Sequence, residues 1–144
     1  SCRLHSSRRV TPALELRGRL DVGWAQSAGQ ERQGGWAVLQ DIPYRPIQSP
    51  LSFTARIAYY RTDGYDVRFY EYENDLLNTF SIAPYYHKGW RSYLNLRLRP
   101  LRGLTLEARI ARTRWRSPQE IGSGLDAFPG PVKTQIAAQV KYVF

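Results

Sequence analysis

Hydrophobic and polar residues alternate along most of this chain with a period of two. Over residues 12–24, Leu14, Leu16, Gly18, Leu20, Val22 and Trp24 fall on one face, while Glu15, Arg17, Arg19 and Asp21 fall on the other. Such a period sends successive side chains to opposite sides of a sheet. The pattern returns at residues 51–60, 90–99, 104–111 and 136–144. Residues 36–44, 66–73 and 76–83 alternate less strictly, and the last two flank Asn74-Asp75, a pair suited to a two-residue hairpin turn. No stripe of helical period competes. The pattern predicts an all-β, antiparallel, up-and-down arrangement of about eight strands over residues 12–144. Residues 1–11 read as a polar leader, the tail of an upstream segment.

The connections carry a second signal. Residues 45–50, 74–75 and 100–103 are short links, and they alternate with 25–35, 62–64, 87–89 and 116–132. The two longest of these are polar and rich in Gly and Ser. Outer-membrane barrels have short periplasmic turns and longer extracellular loops, and a spanning strand needs about 9–11 residues. Aromatic residues follow the same division. Trp24, Trp36, Tyr59, Tyr85 and Trp90 lie at strand ends beside the longer loops, with Tyr60, Tyr65, Tyr86 and Trp115 near them. Tyr44, Tyr72, Tyr142 and Phe144 lie towards the other end. Two aromatic bands are expected where a barrel meets the two faces of a bilayer. The expectation is a transmembrane β-barrel of the bacterial outer membrane, closing on its own eight strands or forming part of a larger barrel.

Composition changes this picture little. The formal charge is +9 and 42% of residues are hydrophobic, and a mean hydropathy of −0.50 describes a soluble basic protein equally well. Hydropathy misses barrels, because half of each spanning strand faces a polar lumen. No segment approaches the roughly 20 apolar residues of a spanning helix. Charge matters through its placement. Glu15, Arg17, Arg19, Asp21, Arg56, Arg91, Arg97, Arg99, Glu107, Arg109 and Lys141 occupy the polar faces. An arginine facing lipid at mid-bilayer costs about 2–4 kcal/mol, so these rows are expected to face the lumen. They would either brace the wall as Arg–carboxylate pairs or present a basic lumen that favours anions. Arg61, Lys88, Arg114, Arg116 and Lys133 fall at the outer rim, as solvated loop charges or as contacts to phosphates of an anionic leaflet.

Catalytic chemistry is not indicated. His5 and His87 have no third ligand at metal spacing, and Cys2 has no partner for an internal disulfide. Gly122-Ser123-Gly124 reads as a flexible loop, since Gly-x-Ser-x-Gly is absent. Glu71 and Glu73 share a strand face but lie beside the Asn74-Asp75 turn, where a solvated hairpin end is expected. The expectation is no enzyme, no catalytic or metal site and no cofactor, with a structural or pore-like role and an unassigned substrate. The rival is a soluble basic β-barrel binding single-stranded nucleic acid, with Arg68, Phe69, Tyr70 and Tyr72 as a stacking platform. Its alternation would be identical. Spread of arginine over nearly every strand, the loop asymmetry and the aromatic bands favour the membrane, so no nucleic acid is expected as a partner.

From about Trp36 onward, the chain resembles a known family. Gln40-Asp41-Ile42, the run from Arg68 through Phe69-Tyr70-Glu71-Tyr72-Glu73-Asn74 to Asp75, Tyr93-Leu94-Asn95-Leu96-Arg97, and Ile121-Gly122-Ser123-Gly124-Leu125 carry the likeness. They resemble the C-terminal region of large Bacteroidota-type outer-membrane proteins that often bear an N-terminal helix-hairpin-helix segment. The resemblance implies a barrel and an outer-membrane location but no activity. The helix-hairpin-helix segment is not in this sequence, so its DNA binding is not carried over. Separately, Val140, Tyr142 and the terminal Phe144 resemble the outer-membrane insertion signal. That implies the barrel-assembly machinery and outer-membrane lipid as partners.

Overall fold

Alternation of this kind builds a sheet, and strands run almost from end to end in the computed structural model, which describes residues 1–26, 31–77, 79–116, 120–121 and 128–144. In chain order the strands are β1 (Cys2–Arg9), β2 (Glu15–Ala25), β3 (Gln33–Tyr44), β4 (Leu51–Thr62), β5 (Phe69–Glu73), β6 (Ser81–Tyr85), β7 (Lys88–Leu101), β8 (Leu104–Trp115), β9 (Glu120–Ile121), β10 (Phe128–Pro129) and β11 (Val132–Tyr142). A single 3-10 turn, Tyr65–Val67, precedes β5. No helix among the described residues is long and apolar enough to cross a membrane, which does not bear on strands.

Seven strands form the main sheet, in the order β1-β2-β3-β4-β7-β8-β11, each antiparallel to its neighbour. The links at one end are tight. Between β1 and β2, the Thr11 hydroxyl accepts from the Leu14 N–H at 3.0 Å, a side-chain turn favoured by threonine. Between β7 and β8, Gly103 adopts φ 84°, where a side chain would be strained. The longer connections gather at the opposite end, in keeping with the asymmetry read from the sequence.

Three expectations need correction. The sheet is open, because β1 and β11 are not paired with one another. The segment read as a polar leader supplies β1, which pairs with β2 from Cys2↔Val22 to Arg9↔Glu15. And residues 66–73 and 76–83 do not join the wall. Their ordered parts, β5 and β6, form a separate two-stranded sheet. Gaining one strand and losing two turns about eight into seven. The turn beyond Asn74-Asp75 is also wider than two residues, running from Glu73 to Ser81. The loop read at Gly122-Ser123-Gly124 lies outside the described residues.

The side chains are distributed inside out. Inward-facing Asp21, Arg56, Arg91 and Arg109 are 2%, 7%, 6% and 9% exposed, whereas outward-facing Trp24, Val38, Ile57, Trp90 and Ile110 are 46–53% exposed. Total accessible surface is 9947 Å², against about 7,600 Å² expected of a folded water-soluble monomer of this mass.

Close packing at the long-loop end depends on Gly89. A Cβ there would lie 2.7 Å from the Arg114 carbonyl oxygen, which is backbone of the paired strand β8, and 2.8 Å from the hydroxyl of Tyr60, whose ring is buried against Tyr85. Gly89→Ala is expected to cost about 1–3 kcal/mol, the usual penalty of overpacking. Urea unfolding followed by tryptophan fluorescence would measure it.

Candidate functional site

The most elaborate chemistry lies on the inner, polar face of the sheet. Strand β4 ends at Thr62 and β7 begins at Lys88, yet Arg61 and Lys88 are directly paired. The intervening segment therefore leaves and re-enters the wall at one point. Its base is pinned by the Thr62 N–H donating to the His87 carbonyl and the His87 N–H donating to the Thr62 hydroxyl, both at 2.8 Å. From there the β5–β6 hairpin folds back across the inner face.

Period two along β5 gives the hairpin two different sides. Tyr70 and Tyr72 point away and are exposed, while Glu71 and Glu73 point at the sheet and are 1% and 0% exposed. Glu73 receives Arg91 Nη2 at 2.6 Å, Arg109 Nη2 at 2.6 Å and the Tyr85 hydroxyl at 3.2 Å. Arg91 also donates to the Thr113 hydroxyl at 2.6 Å, and Arg109 pairs with Asp75. Glu71 pairs with Arg3 at 3.2 Å and with Arg19. Both of those arginines also reach Asp21, at 2.6 Å and 3.2 Å. Arg56 is held by Asp41 at 2.8 Å and donates to the Tyr72 carbonyl at 2.7 Å. Glu107 binds Arg97 and accepts the Leu77 N–H at 2.7 Å. Towards the long-loop end, Tyr60 and Tyr85 stack at 4.8 Å within an apolar cluster of Ala37, Leu39, Ala58, Ala83 and Trp115. Burial pushes the Tyr85 hydroxyl above the usual phenol range, with the charge of Glu73 adding to the shift, so it remains a hydrogen-bond donor.

Among the described residues, this network joins six arginines (Arg3, Arg19, Arg56, Arg91, Arg97, Arg109) to six carboxylates (Asp21, Asp41, Glu71, Glu73, Asp75, Glu107). Half of the negative charge comes from the hairpin. Without it the inner face would be strongly basic; with it the charges balance. On this inner face, arginines are braced by carboxylates in ion pairs, many of which the hairpin supplies. Glu71 and Glu73 are correspondingly not a solvated hairpin end.

Of the residues expected in the lumen, Arg19, Asp21, Arg56, Arg91, Arg97, Glu107 and Arg109 take part in this network. Glu15 and Arg17 form a separate pair at 2.7 Å near the short-turn end, and Arg99 and Lys141 are exposed. In the outer aromatic girdle, Trp36–Tyr59 and Tyr59–Trp90 are in ring contact at 5.4 and 4.5 Å, with Trp24 exposed on the same outward side. Tyr85 does not belong there, since it is fully buried on the inner side; Tyr60 and Trp115 are also buried inward. At the C-terminus Val140, Tyr142 and Phe144 are exposed, and the rings of Tyr142 and Phe144 meet edge to face at 5.0 Å.

Sequence reasoning missed Arg3, Asp41, Asp75 and the role of the two glutamates. The available signal was Glu71-x-Glu73-x-Asp75, acids at period two in a chain where basic residues outnumber acidic ones 21 to 12. Among the described residues no group of three or more His, Cys, Asp and Glu side chains is arranged to hold a metal ion. No protein-family model, curated protein or solved structure matches this chain.

Removing one partner from a buried ion pair leaves an uncompensated charge, at a cost of about 3–5 kcal/mol. Glu73→Gln is expected to destabilise by that amount, since it takes the ion-pair partner from Arg91 and leaves Arg109 with Asp75 alone. Glu15→Gln, at a half-buried carboxylate whose partner Arg17 is exposed, should cost about 1 kcal/mol or less. Paired denaturant titrations would check the contrast.

Proposed function

We propose that this protein is part of a transmembrane β-barrel wall in the bacterial outer membrane, with a structural or pore-related role and no catalytic activity. One observation carries the reading: charges inside and apolar side chains outside on strand after strand. In water that arrangement is costly, because exposed apolar area is worth roughly 25 cal/mol per Å². Next to lipid it is the stable one. Short turns at one end and the outward Trp36–Tyr59–Trp90 band at the other add support. In this reading the apolar face meets outer-membrane lipid, and the free edges of β1 and β11 pair with further strands. Open edges are a liability that closure removes. Val140, Tyr142 and Phe144 then serve as the signal read by the barrel-assembly machinery. The likeness to Bacteroidota-type helix-hairpin-helix outer-membrane proteins belongs to the same proposal.

Within that role, the hairpin acts as a plug. It fills the lumen side with paired charges and leaves no unpartnered arginine row to draw anions. The protein is expected to partition into phosphatidylcholine vesicles and to resist extraction by alkaline carbonate. In planar bilayers it should conduct weakly, and deletion of residues 69–85 should raise conductance and anion selectivity. Recovery of the protein in the aqueous fraction would reject the membrane reading. Unchanged conductance after the deletion would reject the plug.

A second reading rests on the exposure of Tyr70 and Tyr72 close to Arg68, which donates to the Tyr70 hydroxyl at 2.6 Å. Such a surface suits base stacking in single-stranded nucleic acid. Steeply salt-dependent binding of single strands by protein that stays monomeric without detergent would favour it.

A further inference from the structure

The outer rim carries cations that the inner network does not use. Arg61, Lys88, Arg112, Arg114 and Arg116 take part in no ion pair among the described residues. The register explains their grouping. Arg61 pairs with Lys88 across β4 and β7, and Tyr59, Trp90 and Arg114 are directly opposed across β4, β7 and β8. Alternation from Arg114 puts Arg112 and Arg116 on the same outward side. Arg61, Lys88 and Arg116 therefore lie beyond the tryptophan–tyrosine band on the outward face, Arg114 lies level with it, and Arg112 lies one step below it, opposite Ser92. Glu107, the acidic residue of β8, points inward and is buried.

A cleft of about 330 Å³ opens at this point, lined by Tyr59, Lys88, Trp90, Arg114, Trp115 and Arg116 among others. Its walls are set by the backbone. The Arg116 N–H donates to the Lys88 carbonyl at 2.8 Å, and the Trp115 N–H donates to the Pro131 carbonyl at 2.8 Å. The rings of Tyr59 and Trp90, 4.5 Å apart, form its aromatic side. The volume is roughly ten times a water molecule's share of the liquid, more than a bare phosphate requires. Below the cleft the outward face continues as exposed aliphatic side chains, Ile57, Leu96, Ile110 and Ile136.

Lys88 and Arg116 beyond the aromatics, Arg114 level with them and aliphatics below match one kind of ligand in charge and polarity: an amphiphile with a phosphate headgroup and acyl chains. We propose that this cleft binds the phosphate headgroup of a membrane lipid. Lys88, Arg114 and Arg116 engage the phosphate oxygens, arginine by its bidentate fork. Tyr59 and Trp90 pack against the glycerol or sugar region, and the acyl chains lie along the strands. The inference rests on the membrane reading above and adds a headgroup preference to it.

The test uses the whole protein in phosphatidylcholine vesicles doped with phosphatidic acid, with lipid retention read by native mass spectrometry and cleft occupancy by tryptophan fluorescence. Phosphatidic acid is expected to be retained at least about tenfold more tightly than phosphatidylcholine of the same chains, and added salt should weaken it. The variant K88Q/R114Q/R116Q should lose about a hundredfold in affinity, the order expected of three basic groups at an anionic surface. R114K/R116K, which keeps the charge, should lose far less. Its retention of binding, with the salt series on the unaltered protein, makes the result independent of any folding defect in the triple variant. Equal retention of the two lipids, or a triple variant with unchanged affinity, would overturn the site while leaving the membrane reading intact. Inorganic phosphate binding as tightly as phosphatidic acid would assign a free-anion site instead. Failure to enter neutral vesicles would defeat both readings together.

Discussion

Glu73 stands where the architecture closes on itself. It is fully buried and shared between Arg91 on β7 and Arg109 on β8. A guanidinium in that position, unpaired, would carry a desolvation penalty of several kcal/mol. The inward faces of β7 and β8 therefore presuppose the hairpin, and the hairpin presupposes them. Ion pairs of this kind contribute little net stability compared with well-packed hydrophobic residues. What they supply here is placement: the carboxylates of β5 fit only over the rows of arginine that β2, β7 and β8 present. Asn95 and Tyr93 extend the same logic by binding the Asn74 backbone.

That internal neutrality governs the outside as well. With most charged side chains turned inward and paired, the outward half of β2, β3, β4, β7 and β8 shows mainly apolar and aromatic groups. The two surfaces of one sheet thus solve separate problems. One folds a charged insertion onto charged strands; the other presents apolar and aromatic side chains outward. The core proper is small, a cluster around Tyr60 and Tyr85, and it sits at the end where the insertion departs.

Much of this was legible in the chain because period two is a local signal. Strict alternation from Leu14 to Trp24 and from Trp90 to Arg99 identified both the strands and their polar faces, and Arg56, Arg91 and Arg109 lie on the side expected. The hairpin was not legible as an insertion. Residues 69–73 alternate as a wall strand would, and nothing local distinguishes pairing with a neighbour in the wall from packing face-on against it. Tyr85 was misplaced for a related reason: at a strand end, position alone does not say which face an aromatic occupies. Cys2–Arg9 has no sustained apolar face, with Arg3, His5, Ser7 and Arg9 on one side and Cys2, Leu4, Ser6 and Arg8 on the other. Backbone pairing with β2, which period does not report, makes it a strand.

The direct pairing of Arg61 with Lys88 means that the wall does not register what lies between them. Strands β4 and β7 would meet in the same alignment whether the excursion were long, short or absent. An evolving lineage could therefore exchange that excursion as a cassette, altering what occupies the interior while the scaffold stays the same. Its only constraint is compensation, since a replacement must bring its own acids or the arginines beneath it must change in step.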